Sequence, residues 1–276
     1  IWQVSAEGGE AEQLSSLSGY HAHPAWSPKG DRIAFVRGQA PAGPIPFISG
    51  ALKLVEVASG EEHELDTRQP AAGNPAWSAD GTRIACALRF DQGVMLHEIH
   101  VADGTATPIH QNAGGFWSAA AWNPRRSEVF FTGRRGPAPQ VWSMAPGGAP
   151  LTIQMPLTRY RPEDIVQLQS ISALPDGSGV IYSADVVNGK GDYELYRVDR
   201  QGGAPVAITN TPRDEFSPAV SPDGKRIAHA SNHLGNLDLF TMPVSGGEKK
   251  HVRITGLKFR KASGRLRVRI EDETGK

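Results

Sequence analysis

Cysteine occurs once in 276 residues, at Cys86, so no disulfide can form within the chain. A chain of this length can bury a core that needs no staple, so the single thiol does not fix a redox compartment. Formal net charge is zero, which removes any global field toward nucleic acid or an anionic membrane. No apolar run reaches the roughly 18–20 residues that span a bilayer. No stretch shows sustained helical periodicity, because turn residues interrupt every ten or so positions. The nucleophile elbow Gly-x-Ser-x-Gly of serine hydrolases is absent, and Asp176-Gly177-Ser178-Gly179 reads as a turn. No Asp/Asn ladder of the calcium-loop type occurs. A signal peptide is also missing, yet the chain opens on Ile1-Trp2-Gln3-Val4, which reads as mid-fold strand. Both ends are therefore expected to be cut from a longer polypeptide.

Glycine and proline are plentiful, at 31 and 21 residues, and they recur in register. Five segments align: Pro24-Ala25-Trp26-Ser27-Pro28-Lys29-Gly30, Pro75-Ala76-Trp77-Ser78-Ala79-Asp80-Gly81, Ala120-Ala121-Trp122-Asn123-Pro124-Arg125-Arg126, Ile171-Ser172-Ala173-Leu174-Pro175-Asp176-Gly177 and Pro218-Ala219-Val220-Ser221-Pro222-Asp223-Gly224. The turn position recurs at intervals of 51, 45, 51 and 47 residues, from Gly30 to Gly224. Ser-Pro-Asp-Gly is a tight-turn string: Pro presets φ, Asp bonds back to the backbone, and Gly accepts positive φ. A strand follows each turn, as in Arg32-Ile33-Ala34-Phe35-Val36, so each repeat opens with a hairpin. Third strands follow near Leu52, Glu98, Gln140, Glu194 and Leu237, and fourth strands end near Leu65, Ile109, Leu157, Ile208 and Ile254.

Four antiparallel strands repeated at this period predict an all-β propeller with five complete blades and part of a sixth. The complete blades are expected at residues 24–68, 75–110, 120–158, 171–209 and 218–254, with a partial blade at 1–14, all within a propeller spanning 1–255. Residues 256–276 read as a linker or the first strands of a following β-domain. The competing reading makes 257–270 the closing hairpin of the sixth blade. The repeated Trp26, Trp77 and Trp122 are expected to be buried between blades, and Cys86, aligned with Phe35, to be a buried and inert thiol.

The string Pro-Ala-Trp-Ser-Pro-x-Gly-x-Arg-Ile-Ala with its later Gly-Gly turn resembles the TolB-type repeat. That resemblance covers roughly residues 1–255. It implies a propeller of the kind found in a periplasmic protein-binding partner, over prolyl-oligopeptidase-type peptidases and in fusions to metal-dependent hydrolases. The tail from Gly264 to Lys276 is similar to the first strand of carboxypeptidase-regulatory-like β-domains. The motif residues are structural, so the resemblance carries fold further than function.

Chemistry is sparse. His21-Ala22-His23 resembles the His-x-His element of metal hydrolases but has no third ligand in sequence. His97 and His100 sit three apart on a strand, which sends them to opposite faces. Neither is read as a metal site, and no catalytic residue or cofactor is expected. From Lys249 to Arg269 there are Lys and Arg without acids, while residues 1–248 are net acidic. Arg265, Arg267 and Arg269 alternate with Leu266, Val268 and Ile270 as a strand with one solvated face does. Nucleic acid is not an expected partner. The positions just upstream of each inner strand are free of the motif and converge on one mouth of the channel. His21, His23, Asn74, Trp117, Gln169, Glu215 and Phe216 lie there, either as a ligand-binding surface or as an ordinary loop rim. The leading expectation is a non-catalytic binding or scaffolding module of a larger exported bacterial protein, periplasmic or extracellular. It would engage a protein, a peptide or an adjacent domain. The alternative is an accessory propeller that shapes access to a C-terminal hydrolase domain.

Overall fold

The computed structural model describes residues 1–15, 19–39, 49–91, 93–109, 116–134, 139–145, 151–153, 170–184 and 192–259. Every regular element among them is a strand. The chain opens with β1 (Trp2–Gln3) and β2 (Gly9–Gln13), an antiparallel pair. Blade 1 is β3 (Tyr20–Trp26), β4 (Arg32–Gly38), β5 (Gly50–Glu56) and β6 (Glu62–Leu65). Blade 2 is β7 (Ala76–Trp77), β8 (Arg83–Phe90), β9 (Gly93–His100) and β10 (Ala106–Pro108). Blade 3 is β11 (Phe116–Trp122), β12 (Val129–Arg134), β13 (Pro139–Met144) and β14 (Leu151–Ile153). Blade 4 is β15 (Ile171–Ala173), β16 (Gly179–Ala184), β17 (Glu194–Asp199) and β18 (Val206–Ala207). Blade 5 is β19 (Glu215–Val220), β20 (Arg226–Ser231), β21 (Asp238–Pro243) and β22 (Lys250–His251). A last strand, β23 (Ile254–Lys258), follows. Each blade is a four-stranded antiparallel meander, and the five are arranged as a propeller with part of a sixth.

The turn chemistry explains the hairpins. Ser27, Ser78 and Ser221 each donate a hydroxyl to Asp31, Asp80 and Asp223 at 2.6 Å. The same hydroxyls accept the amides of Arg32, Arg83 and Arg226 at 3.0–3.1 Å. Gly30, Gly81, Gly177 and Gly224 take φ of 70–73°, and each donates its amide across the turn at 2.8–3.0 Å. Arg126 holds that place in blade 3 without a positive φ, and its turn bond stretches to 3.4 Å. A side chain disfavours the left-handed region that closes this turn.

Blades pack face to face in a fixed order. Along β4, Ala34 and Val36 face Trp77, Ile84 and Cys86 of blade 2. Ala85 and Leu96 of blade 2 face Trp122, Val129 and Phe131 of blade 3. Phe130 and Val141 meet Val180, Tyr182 and Tyr196, and Ile181 and Leu195 meet Ile227 and Met242 of blade 5. At the first two interfaces alanines on one face receive large side chains of the next, while Phe130, Ile181 and Leu195 make the other two large against large, and period-2 alternation supplies both faces. Cys86 is fully buried, and burial pushes its thiol up to about 12, so it stays protonated.

The partial blade sits between blades 5 and 1. Leu14 packs on Ile33, Phe35 and Val55 of blade 1, while Glu7 pairs with Arg226 at 2.8 Å and with Lys250. Its strand order is β1-β2-β23, with β23 added in parallel beyond β2, so the inner edge of β1 has no partner among the described residues. Ile254 therefore begins β23 instead of ending the fourth strand of blade 5, which closes at His251. Leu157 and residues 260–276 lie outside the described residues.

One tryptophan departs from expectation. Trp77 and Trp122 are 8% and 6% exposed, but Trp26 is 50% exposed. Trp77 donates to the Ala25 carbonyl at 3.0 Å, and Arg32 and Arg83 stack over Trp77 and Trp122. Each indole is thus covered by the inner hairpin of the blade before it. The blade before Trp26 has no inner hairpin among the described residues.

Candidate binding mouth

The sequence positions expected to be loops upstream of the inner strands are largely strand. β3 begins at Tyr20, β11 at Phe116 and β19 at Glu215. Each carries a bulge: the register slips between Ala22 and Ala25, between Trp117 and Ala119, and between Phe216 and Ala219. The slips in β3 and β19 put His23 and Ser217 at φ of 56° and 51°. Left-handed backbone in residues other than glycine costs about 1–3 kcal/mol and clusters at ligand sites. Asn74, the matching residue of blade 2, is outside a strand and bridges in parallel to Ala119.

His21 is held tightly. Its Nδ1 lies 2.7 Å from the Ser15 hydroxyl, which also accepts the Ile1 ammonium at 2.8 Å. The ring tilts against Phe35 at 5.1 Å, and Nε2 is buried without a hydrogen bond. Burial, helped by the nearby Arg37 and Lys53, lowers its pKa to about 4. His23 is lowered by burial too. Both imidazoles are therefore neutral near pH 7. A cavity of about 420 Å³ lies beside His21, lined by Ile1, Trp2, Gln13, Ser15 and Pro24.

Glu215 stands apart from these histidines. It is fully buried, with Oε2 2.9 Å from His229 Nε2 and Oε1 on Lys249 and the Thr211 hydroxyl. Burial works to raise its pKa, but the contacts with His229 and Lys249 outweigh it and hold the carboxyl below its ordinary range. Glu194 lies close enough to feel Glu215 and Lys249, and burial pushes its carboxyl up. Phe216, next along β19, packs half-buried against Tyr193 at 5.1 Å. Trp117 lies in β11 opposite Gly133, and Gln169 is outside the described residues. Among the described residues no three His, Cys, Asp or Glu side chains gather as metal ligands.

Sequence reasoning missed His229 and Lys249. The signal for His229 was present: it occupies the place held by Phe35, Cys86, Phe131 and Tyr182 in the other repeats. An ionisable ring at a core position demands a buried partner. Lys249 carried no such mark, because it sits in an outer segment among other bases.

No protein-family model matches the chain. A structure of putative TolB from Agrobacterium tumefaciens superposes with TM-score 0.71 at 16% identity, covering 89% of this chain and 88% of that one. A TolB homolog of Chlorobaculum tepidum is 31% identical over 94 residues, which is 34% of this chain and 21% of that protein. The fold is a TolB-like β-propeller. Two peptidases are also similar to parts of the chain. Dipeptidyl-peptidase 5 of Porphyromonas gingivalis is 37% identical over 84 residues, 28% of this chain and 12% of its own length. An uncharacterized peptidase of Bacillus subtilis is 23% identical over 210 residues, 76% of this chain and 29% of its own length. The matches thus span 12–29% of these relatives.

Proposed function

We propose that this TolB-like propeller is a non-catalytic binding module of a larger exported bacterial protein, taking a protein or peptide at the channel mouth. The observation that carries the reading is the repeated bulge, which holds His23 and Ser217 in left-handed backbone at matching positions of blades 1 and 5. Neutral imidazoles at His21 and His23 and the aromatic pair of Phe216 and Tyr193 offer hydrogen bonds and stacking without net charge. The same reading takes in Asn74 and Trp117 as further mouth positions, while Gln169 lies outside the described residues. Glu215, buried against His229 and Lys249, serves by anchoring β19.

A second reading rests on the peptidase relatives, whose matches end well short of their own lengths. In it the propeller shapes access to a hydrolase domain elsewhere in the polypeptide. The test is a displayed peptide library selected on the chain, then rebound to His23→Ala, Trp117→Ala and Phe216→Ala. Loss of about tenfold or more in affinity with the fold intact supports the mouth. Equal binding by all three variants refutes it. Peptidase activity in the longer protein that changes when the propeller is deleted would favour the second reading.

A further inference from the structure

Blades 4 and 5 meet in two halves. Away from the mouth the contact is apolar, with Leu174 and Ile181 against Ile227 and Met242. Toward the mouth it turns polar and stays buried. Ser183, two residues past Ile181 and so on the same face of β16, is fully buried, as are Glu215 and His229 of blade 5, while Glu194 is 6% exposed. Thr211 ties the two carboxylates together, its amide donating to Glu194 and its hydroxyl to Glu215 at 3.3 Å. Both Glu215 oxygens are engaged, one by Lys249 and Thr211 and the other by His229. Glu194 Oε2, His229 Nδ1 and the Ser183 hydroxyl are buried without a hydrogen bond. The remaining charged groups stand at the margin. Asp214 accepts from the Tyr193 amide and from Asn232, Arg213 is exposed, and Phe240 of β21 separates His229 from His251, whose Nε2 lies 3.6 Å from Asp238. Counted with His229 neutral, two buried carboxylates face one ammonium, an excess of one negative charge that a single proton would balance.

We propose that Glu194, Glu215, His229 and Lys249 form a proton-operated clasp between blades 4 and 5, which closes when Glu194 takes up a proton and so tightens the mouth around its ligand. Glu194 is the natural taker, because its Oε2 has no donor while each Glu215 oxygen already has a partner. Burial pushes the Glu194 carboxyl up, and the charge of Glu215 adds to that push. The link to the mouth is covalent and short. Tyr193 precedes Glu194, and Phe216 follows Glu215, so the spacing of the carboxylates sets the spacing of the two rings, now 5.1 Å apart. The Glu215 amide donates to the Tyr193 carbonyl at 2.7 Å, which sews the two strand ends together beside the left-handed Ser217. With Glu194 ionised, the carboxylates repel across this seam of blades and loosen it. With Glu194 protonated, the repulsion ends and Oε2 gains an O–H that can donate. Only the effect on affinity rests on the mouth being a binding surface, since the clasp itself acts without a ligand.

Three readouts on the 276-residue chain test this between about pH 7.5 and about pH 5. Carboxyl-carbon NMR of glutamate-labelled protein follows Glu194, assigned by the signal lost in Glu194→Gln. Hydrogen exchange, corrected for the intrinsic rate, follows the Glu215 amide. Anisotropy follows a labelled peptide selected from the displayed library at the mouth. Glu194 is expected to titrate above the ordinary glutamate range. As it does, exchange at Glu215 slows and peptide affinity rises, each about fivefold or more. Glu194→Gln, which keeps an acceptor for Thr211 and removes the charge, should show the slow exchange and tight binding at both ends of the range. Glu10→Gln, on the exposed face of β2, should respond to pH as the parent does. Circular dichroism confirms that each variant is folded, and the parent chain's own titration and exchange decide the matter if one is not. Titration of Glu194 at the ordinary glutamate value overturns the proposal, as does an equal pH response in Glu194→Gln. If no peptide binds at any pH, the reading of the mouth falls, and NMR and exchange alone support or overturn the clasp.

Discussion

Leu195 in blade 4 and Leu239 in blade 5 hold the same register position, yet one is 0% exposed and the other 43%. Trp77 and Trp26 differ in the same way for the same reason. Between blades 1 and 5 the sequence of faces runs unbroken: each face is covered by the next blade's strands, and the indoles of Trp77 and Trp122 lie under the arginine of the preceding hairpin. Between blades 5 and 1 the same residue types remain, and among the described residues the partial blade supplies no inner hairpin to cover them. The repeat motif therefore encodes half of each interface, and burial depends on what the neighbouring blade supplies.

The sharpest way to break that comparison is to truncate matched tryptophans. Trp77→Ala is expected to cost about 3–5 kcal/mol, through lost burial and a cavity between blades 1 and 2. Trp26→Ala is expected to cost under about 1 kcal/mol, because half of its indole is already in water. Urea unfolding of both variants reads the difference. Equal losses would mean that Trp26 is covered in solution.

The buried charges give a second contrast, between the apolar core positions Phe35 and Tyr182 and their ionisable counterpart His229. Lys249→Met leaves Glu215 with only His229 and Thr211, and is expected to cost about 3 kcal/mol at pH 7. Because the folded Glu215 carboxyl lies below its unfolded value, its contribution is present above the ordinary glutamate range and is lost as pH falls through and below it. Glu194 acts in the opposite sense, since its raised pKa favours the fold when protonated. Glu215→Gln should therefore flatten the acid limb of stability against pH. An unchanged acid limb would show that the carboxyl titrates alike in both states.

His21 carries the smallest of these effects. Its folded pKa of about 4 lies below the unfolded 6.5, so stability should fall as pH drops from 6.5 toward 4. Solvent screening of a ring that is far from fully buried reduces the effect to about 1 kcal/mol. His21→Asn should remove the slope across that window, as measured by thermal melts at stepped pH.

Much of this fold was legible in the sequence because its signals are local. Ser27-Pro28-Lys29-Gly30 and its repeats specify a hairpin with no help from distant residues, and their spacing alone counts the blades. The partial blade at 1–14 was legible too, but the exposure of Trp26 was not drawn from it, because the motif treats Trp26, Trp77 and Trp122 alike while burial depends on the preceding blade's hairpin. The candidate mouth was legible only as a set of positions. Sequence placed His21, His23 and Glu215 in one group, while the structure ties His21 to Ser15 and Glu215 to His229 and Lys249. The bulges that reshape these strands depend on backbone register, which a run such as His23-Pro24-Ala25 does not reveal. Fold likeness to TolB at 16% identity speaks to architecture alone.

The central claim is that each blade's exposed or buried character is set by its neighbour's inner hairpin. The direct measurement is a pair of truncations, Leu195→Ala and Leu239→Ala, compared in urea at one pH. The account predicts a loss of about 2–5 kcal/mol for the first and under about 1 kcal/mol for the second, with equal denaturant slopes. Equal losses of about 2 kcal/mol or more at both sites would contradict it, because the face of blade 5 would then be packed as fully as that of blade 4.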